Sequence, residues 1–265
     1  MRKKMEYKII SGRTVEIRRS WMTADPSQRR PRGTRRAGAS SLKKILANER
    51  ETVLKLGRII NCNFSGADGD AFVTCKYTAE MRPGSYEDAR KIFGRFLDRL
   101  RREYRRKTGK ALAAVWVTAN WSPKGDHAAA AHHHAVMPSE AVELVRKLWP
   151  RYGGIGTVGI SDLRDQGDFT SVAAYMLANV RGRPANERKW SCCRGMERPI
   201  YTEPVEVSDI EGVQPLPGSV IEDVGRSEDE EGNVIGSYLR CRLDRPPKVR
   251  GGQIVFERRG RRRGG

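Results

Sequence analysis

The sequence lacks the features that mark membrane-spanning and disulfide-stabilised proteins. No apolar run approaches the roughly 20 residues that span a bilayer, and the basic opening Met1–Lys4 is not followed by the apolar core of a signal peptide. The five cysteines are an odd number and include no C-x-x-C pair, which argues against a disulfide framework and against a thiolate zinc site. We therefore expect a cytoplasmic protein with no membrane partner.

Acidic residues are scarce relative to basic ones. The chain holds 51 Lys and Arg against 32 Asp and Glu, a formal net charge of +19. Such an excess favours a polyanionic partner, because each neutralised phosphate releases condensed counterions and adds affinity that does not depend on sequence. The distribution of the charge favours nucleic acid, although a ribosome or an anionic membrane surface would use the same charge.

Composition divides the chain into three parts. Residues 1–57 form a basic N-terminal arm and a helix, since residues 26–40 are rich in Pro, Gly and Arg and cannot bury a core, whereas an apolar stripe between residues 41 and 58 predicts a helix. Residues 58–205 hold the main domain. Residues 206–265 form an extension that is first acidic and then basic. Short apolar–polar alternations predict hairpins at residues 7–17 and 234–243.

The main domain alternates between strand and helix patterns. Strands are predicted at Ala71–Tyr77, Leu112–Thr118, His132–Met137 and Gly156–Ile160. Helices are predicted from Ser85 to about Lys107, from Ser139 through Leu148, and from Asp168 to about Val180. This order implies an α+β domain with a mainly antiparallel sheet.

Three of the four histidines are consecutive, at residues 132–134, and His127 lies just upstream. On a strand the side chains alternate, so His132 and His134 project to one face and His133 to the other. Two imidazoles on one face, ~6–7 Å apart along the strand, are placed to converge on one metal ion. A loop of exposed histidines, or one core histidine with two bystanders, is the alternative interpretation.

The helix predicted at residues 168–180 has an apolar stripe formed by Phe169, Val172, Ala173, Met176 and Val180. Tyr175 lies ~110° from the centre of that stripe at 100° per residue, so its side chain can face a cleft. The alternative is a tyrosine at the border of the core with its hydroxyl group in water.

The run from Cys62 through Pro199 resembles the HUH endonuclease domain of rolling-circle replication initiators from bacterial plasmids, phages and integrative elements. The resemblance rests on four pieces in order, namely a first core strand, an amphipathic helix, the H-U-H strand and the helix that carries the nucleophile: Phe72–Tyr77, Glu87–Leu100, His132–Met137 and Ala173–Leu177. The segment Trp190–Arg194, followed by Pro199, is also similar to one that these initiators carry.

The resemblance implies a fold and a reaction. The fold would be a central antiparallel sheet of about five strands flanked by helices. Tyr175 would be the nucleophile, and His132 and His134 would hold a divalent ion, Mg²⁺ or Mn²⁺. Arg181 and Arg194 would contact DNA. The products would be a 5′-phosphotyrosine and a free 3′-hydroxyl, and the partners would be single-stranded DNA at an origin or hairpin and a host helicase and polymerase.

Two departures from the family pattern concern the same site. The family often has a lysine three residues after the tyrosine, where this chain has Ala178, and Asn179 or Arg181 would have to substitute for it. The usual acidic third ligand is also missing, which leaves Asn120 as a weak oxygen donor.

Alternative functions would use the same residues. A relaxase or a transposase would use the same chemistry, whereas a non-catalytic DNA-binding protein would keep a degraded HUH fold. No second tyrosine lies four residues from Tyr175, and no G-x-x-x-x-G-K-[ST] motif is present, so we expect a single-tyrosine enzyme without a fused helicase.

Overall fold

The computed structural model describes residues 2–23, 42–66, 69–121, 128–164, 166–180, 188–229, 231–251 and 253–255. They form an α+β protein with antiparallel sheets, in two compact units. One unit comprises residues 43–198, and the other comprises residues 1–42 and 199–265. The predicted arm at residues 26–40, His127 and Arg181 lie outside the described residues.

The elements follow one another along the chain as β1 (Arg2–Ser11), β2 (Thr14–Thr23), α1 (Leu42–Asn63), β3 (Asp70–Cys75), α2 (Tyr86–Thr108), β4 (Val115–Trp121), β5 (Ala128–Pro138), α3 (Val142–Leu148), α4 (Pro150–Gly153), β6 (Val158–Asp162), α5 (Thr170–Ala178), β7 (Ser191–Cys192), β8 (Ile200–Tyr201), β9 (Val205–Glu206), β10 (Val220–Glu228), β11 (Val234–Arg242), β12 (Lys248–Arg250) and β13 (Gln253–Val255). A single 3-10 turn, Ser139–Ala141, leads from β5 into α3. None of the helices that the structure describes is long and apolar enough to cross a membrane.

The unit of residues 43–198 is built on a five-stranded sheet in the order β6-β3-β5-β4-β7. Every pair of neighbouring strands in it is antiparallel. The predicted α+β class is therefore confirmed, and β5, which carries the three histidines, is the central strand. The strands and helices predicted for this unit are present in the predicted order, with ends that differ by a few residues, and the structure adds the short helix α4 and the two-residue edge strand β7.

Helix α2 has the N-terminal cap and the buried apolar face that its sequence predicts. The Ser85 hydroxyl accepts a hydrogen bond from the backbone N–H of Asp88, and Gly109 ends the helix in the left-handed conformation, where a residue with a Cβ is strained. One face of the helix is buried throughout, through Ala89, Phe93, Phe96, Leu97, Leu100 and Tyr104. This amphipathic face covers one side of the sheet.

The two faces of β5 have different environments. His133 lies on the α2 side, where its ring stacks on Phe93 at a centroid distance of 4.0 Å. Its Nε2 lies 2.7 Å from the hydroxyl oxygen of Tyr77, and its Nδ1 lies 3.1 Å from that of Thr118. The ring is completely buried and both its nitrogens have a hydroxyl partner, so His133 is a satisfied core residue. The alternation predicted for residues 132–134 is confirmed.

Helices α1 and α5 belong to the opposite side. The side-chain amide of Asn61 on α1 donates to Asp168 at 2.9 Å and its oxygen accepts from the backbone N–H of Phe169 at 2.8 Å. Asp168 in turn accepts from the backbone N–H of Thr170 at 3.1 Å, at the first residue of α5. A Cβ on Gly57 would lie 3.1 Å from the Thr170 hydroxyl oxygen, so the glycine allows α1 and α5 to approach closely.

The second unit is a sheet in which the N-terminal hairpin pairs with the C-terminal part of the chain. Strand β11 pairs with β2 and β10 pairs with β11, while β8 and β9 both pair with β1. The predicted domain boundaries at residues 57 and 205 therefore differ from those of the observed units. Helix α1 belongs to the unit of residues 43–198. The predicted hairpin at residues 234–243 is wrong, because residues 234–242 form one strand.

The reason for this pairing is burial of apolar side chains. Val15 and Ile17 on β2 are buried together with Leu239 and Cys241 on β11 and with Leu216. Neither segment can cover its apolar face alone, and composition cannot indicate a partner more than 200 residues away.

We predict that Tyr77→Phe lowers the free energy of unfolding by about 1–3 kcal/mol, because it leaves Nε2 of the buried His133 without its hydroxyl partner. Chemical denaturation followed by circular dichroism measures the change. Tyr175→Phe is the matched control, since that side chain is 44 % exposed, and its stability should stay within about 0.5 kcal/mol of the parent. Equal stability of both variants would contradict the role given to Tyr77.

Candidate active site

His132 and His134 stand side by side on β5, on the face opposite to His133. Their ring centroids lie 4.8 Å apart. In the sheet, His134 pairs with Thr74 on β3 and with Val117 on β4, and His132 pairs with Ala119. The backbone of His134 is therefore paired on both sides, whereas that of His132 is paired with β4.

Each ring is oriented through its Nδ1. The Nδ1 of His132 donates to the carbonyl oxygen of Ala130 at 2.9 Å, and a carbonyl can only accept, so the lone pair of His132 is on Nε2. The Nδ1 of His134 lies 3.1 Å from the Thr74 hydroxyl oxygen. The Nε2 of His134 is buried and has no hydrogen-bond partner among the described residues.

Both imidazoles are held in the neutral form. Burial lowers the pKa of His132, and the nearby charge of Lys76 lowers it further. Burial, together with His132 and Lys76, lowers the pKa of His134 to about 3. A neutral imidazole with a free lone pair is the form that binds a metal ion. The unpaired Nε2 of His134 and the free lone pair of His132 therefore fit a divalent ion.

Tyr175 lies on the same side of the sheet as the two histidines. Its ring centroid is 5.5 Å from that of His134 and 5.8 Å from that of Phe72. Helix α5 buries Ala173, Met176 and Leu177, which leaves the tyrosine on its flank. The prediction that Tyr175 lies beside the buried stripe is confirmed.

The end of α5 is tied to the end of β4. The side-chain amide of Asn179 donates to the carbonyl oxygen of Tyr175 at 2.6 Å. The carbonyl oxygen of Asn179 accepts from the backbone N–H groups of Asn120 and Trp121 at 2.9 and 3.1 Å. Asn179 is completely buried, so it anchors the helix and does not substitute for a lysine in a cleft.

A groove of about 740 Å³ brings these residues together. It is lined by Thr74, Lys76, Tyr77, Arg82, Ala129, Ala130, Ala131, His132, His134, Gly156, Thr157, Val158, Gly159 and Tyr175. Both predicted metal ligands and the predicted nucleophile are among them. Lys76 and Arg82 were not predicted from the sequence. Lys76 follows Phe72 and Thr74 at intervals of two, the spacing of residues on one strand face, and this spacing could have indicated it.

Two other predicted site residues, Asn120 and Arg194, do not line the groove. Asn120 lies at an irregularity of β4 between Ala119 and Trp121 and is not among the residues that line the groove. Arg194 is exposed after the edge strand β7 and does not line the groove either. Within the described ranges, no group of three or more His, Cys, Asp or Glu side chains is placed to hold a metal ion. Among the described residues, the candidate metal ligands are therefore the two histidines.

We predict that the metal-free chain loses stability as the pH falls below about 6.5, because the unfolded histidines bind protons that the buried ones do not. The folded pKa of His134 is depressed to about 3, so its contribution is complete above the unfolded pKa and is lost progressively as the pH falls towards 3. One such histidine contributes up to about 1.4 kcal/mol per pH unit.

The test compares His134→Gln with the parent chain by denaturant titrations between about pH 6.5 and 4, the window in which an ordinary histidine becomes protonated. The slope of the unfolding free energy against pH should be shallower in the variant. Identical slopes would show that His134 is protonated in the folded protein.

We further predict that Thr74→Val weakens Mn²⁺ binding about 10–100-fold, because the hydroxyl that orients the His134 ring is removed. Isothermal titration calorimetry measures the affinity. Thr108→Val is the matched control, since the Thr108 hydroxyl donates to the Tyr104 carbonyl oxygen on α2. Affinities that agree for the parent and both variants would contradict this role of Thr74.

Comparison with family models, with curated proteins and with solved structures gave no match. The chemistry of the groove residues is therefore the basis for inferring a function.

Proposed function

We propose that this protein is a single-strand DNA endonuclease of the HUH type that nicks an origin and so initiates rolling-circle replication. The observation that carries the proposal is the position of Tyr175, whose ring lies 5.5 Å from that of His134 in the same groove. A nucleophile beside two neutral imidazoles is the arrangement that metal-assisted attack on a phosphodiester requires.

His132 and His134 would hold the divalent ion, Mg²⁺ or Mn²⁺, through their Nε2 atoms. When bound, such an ion polarises a phosphoryl oxygen and offsets the negative charge of the transition state. The chain's own contribution is orientation: Ala130 and Thr74 fix the two rings through Nδ1. Imidazole ligands also accept Zn²⁺ and Ni²⁺, so the ligand set alone does not select the metal.

Tyr175 would attack the scissile phosphate of an unpaired strand. Its phenolic oxygen forms a bond to phosphorus while the bond from phosphorus to the 3′ oxygen breaks. The phenolic proton passes to solvent and the departing 3′ oxygen takes up a proton, so the products are a 5′-phosphotyrosine and a free 3′-hydroxyl. The exposed position of Tyr175 gives a strand access to it, and Asn179 holds its helix in place.

The architecture is compatible with this proposal. A five-stranded antiparallel sheet carries the paired histidines on its central strand, and helices cover both of its faces. The buried Asn179 and the serine at position 171 flank Tyr175 at four-residue intervals, so a single tyrosine would act. The partners would be single-stranded DNA at an origin or hairpin, with a host helicase and polymerase.

A second candidate function is a non-catalytic DNA-binding protein on the same fold. It is favoured by one observation, the lack of an acidic ligand beside the two histidines among the described residues. A relaxase or a transposase would differ from the proposed initiator in biological purpose and would share its chemistry.

We predict that the chain forms a covalent adduct with labelled single-stranded origin DNA in the presence of Mn²⁺, visible on a denaturing gel. Tyr175→Phe removes the nucleophile and the double variant His132→Ala with His134→Ala removes the metal ligands, so both should abolish the adduct. Tyr201→Phe, which changes an exposed tyrosine of the other unit, should retain it.

Binding of the DNA without an adduct, across several divalent metals and candidate origins, would contradict the enzymatic proposal and support the binding protein. An adduct that persists in Tyr175→Phe would contradict the choice of nucleophile while leaving the class of reaction intact.

A further inference from the structure

The groove is positively charged, and its charge is uncompensated within the described residues. Lys76 and Arg82 line it, and no Asp or Glu is among the lining residues. Both side chains are exposed, and neither makes an ion pair with a described residue. By contrast, the exposed Lys91, Lys107 and Lys110 of this unit form ion pairs, that of Lys107 with Glu143 at 2.9 Å.

The backbone of Lys76 is held on both sides. Its N–H donates to the carbonyl oxygen of Thr157 at 2.9 Å, and its own carbonyl oxygen accepts from the indole N–H of the buried Trp149 at 2.9 Å. A Cβ on Gly153 would lie 2.6 Å from that same carbonyl oxygen, so the glycine permits the close approach. The start of the Lys76 side chain is therefore fixed, although β3 ends one residue earlier.

Lys76 lines the same groove as His132, His134 and Tyr175. A cation in that groove is placed to reach a phosphate near the tyrosine. Arg82 lies after β3 and before α2 and lines the same groove.

We propose that Lys76 and Arg82 are the phosphate-binding residues of this groove and hold the backbone of a single-stranded nucleic acid across it. At about 740 Å³ the groove is far larger than one phosphate ion, which favours a strand over inorganic phosphate. The arginine fork and the lysine ammonium both bind phosphate oxygens well. The assignment of the bound strand as the DNA that is nicked rests on the function proposed above. The assignment of Lys76 and Arg82 as a phosphate site does not depend on that function.

Lys76 also bears on the lysine that the family pattern places three residues after the tyrosine and that this chain lacks. Position 178 on α5 is an alanine, and Asn179 is buried under the helix. The positive charge in the groove of Tyr175 therefore comes from the segment between β3 and α2.

The test measures binding without cleavage, in the Tyr175→Phe background, with a labelled mixed-sequence single-stranded DNA of about 20 nucleotides. We expect Lys76→Gln and Arg82→Gln each to weaken binding about tenfold, the equivalent of one lost charged contact. Each should also reduce the slope of log affinity against log salt by about 0.7, the value for one phosphate contact on a single strand. Lys76→Arg should restore most of the affinity.

Lys107→Gln is the matched control, because it removes the same charge from a lysine that is already paired, and it should change neither quantity. Competition with inorganic phosphate distinguishes the two sources of the anion. Displacement of the DNA by millimolar phosphate would overturn the assignment to a strand, whereas weak competition would support it.

Adduct formation and DNA binding are measured separately, so the phosphate site and the enzymatic activity are tested independently. If the parent chain forms a covalent adduct but Lys76→Gln and Arg82→Gln bind DNA with unchanged affinity and salt slope, the phosphate site is overturned and the nuclease stands. If no adduct forms but both variants weaken binding as expected, the phosphate site stands in a protein that binds without cleaving. Circular dichroism melting checks that each variant is folded.

Discussion

The register of the central strand β5 determines the site. His133 is fixed on the α2 side by two hydroxyl groups and by stacking on Phe93, and this forces its two neighbours to the opposite face. A slip of one residue would bury His132 and His134 and place His133 in the groove. Core packing and the lining of the groove are therefore coupled in one tripeptide, in which the middle histidine belongs to the core and the outer two line the groove.

The groove combines three kinds of group that suit attack on a phosphodiester. Burial keeps the imidazoles of His132 and His134 neutral, the phenol of Tyr175 is half exposed on the flank of α5, and two uncompensated cations line the opening. Neutral imidazoles and cations suit the same groove, because a positive charge near the histidines favours both the unprotonated imidazole and an incoming anion. If the two histidines hold a metal ion as proposed, the described residues would leave further coordination positions for substrate and water.

The sequence was sufficient wherever a local pattern decided the outcome. The alternation of residues 132–134, the capped amphipathic helix α2 and the position of Tyr175 beside its buried stripe are all confirmed, since each depends on a few neighbouring residues. Long-range contacts were not accessible. The pairing of β2 with β11, the place of α1 against α5, and the presence of Lys76 and Arg82 in the groove arise only when distant segments meet. Asn120 was predicted from its position in the sequence alone, and it lies at an irregularity of β4 and does not line the groove.

The central claim is that the phenolic oxygen of Tyr175 becomes bonded to DNA, and peptide mapping by mass spectrometry tests it most directly. After the covalent product is trimmed with a nuclease and digested with trypsin, cleavage after Arg164 and Arg181 releases residues 165–181, a peptide with Tyr175 as its sole tyrosine. The account predicts a nucleotide on that tyrosine. A nucleotide found on a different tyrosine, or on a serine, would contradict it.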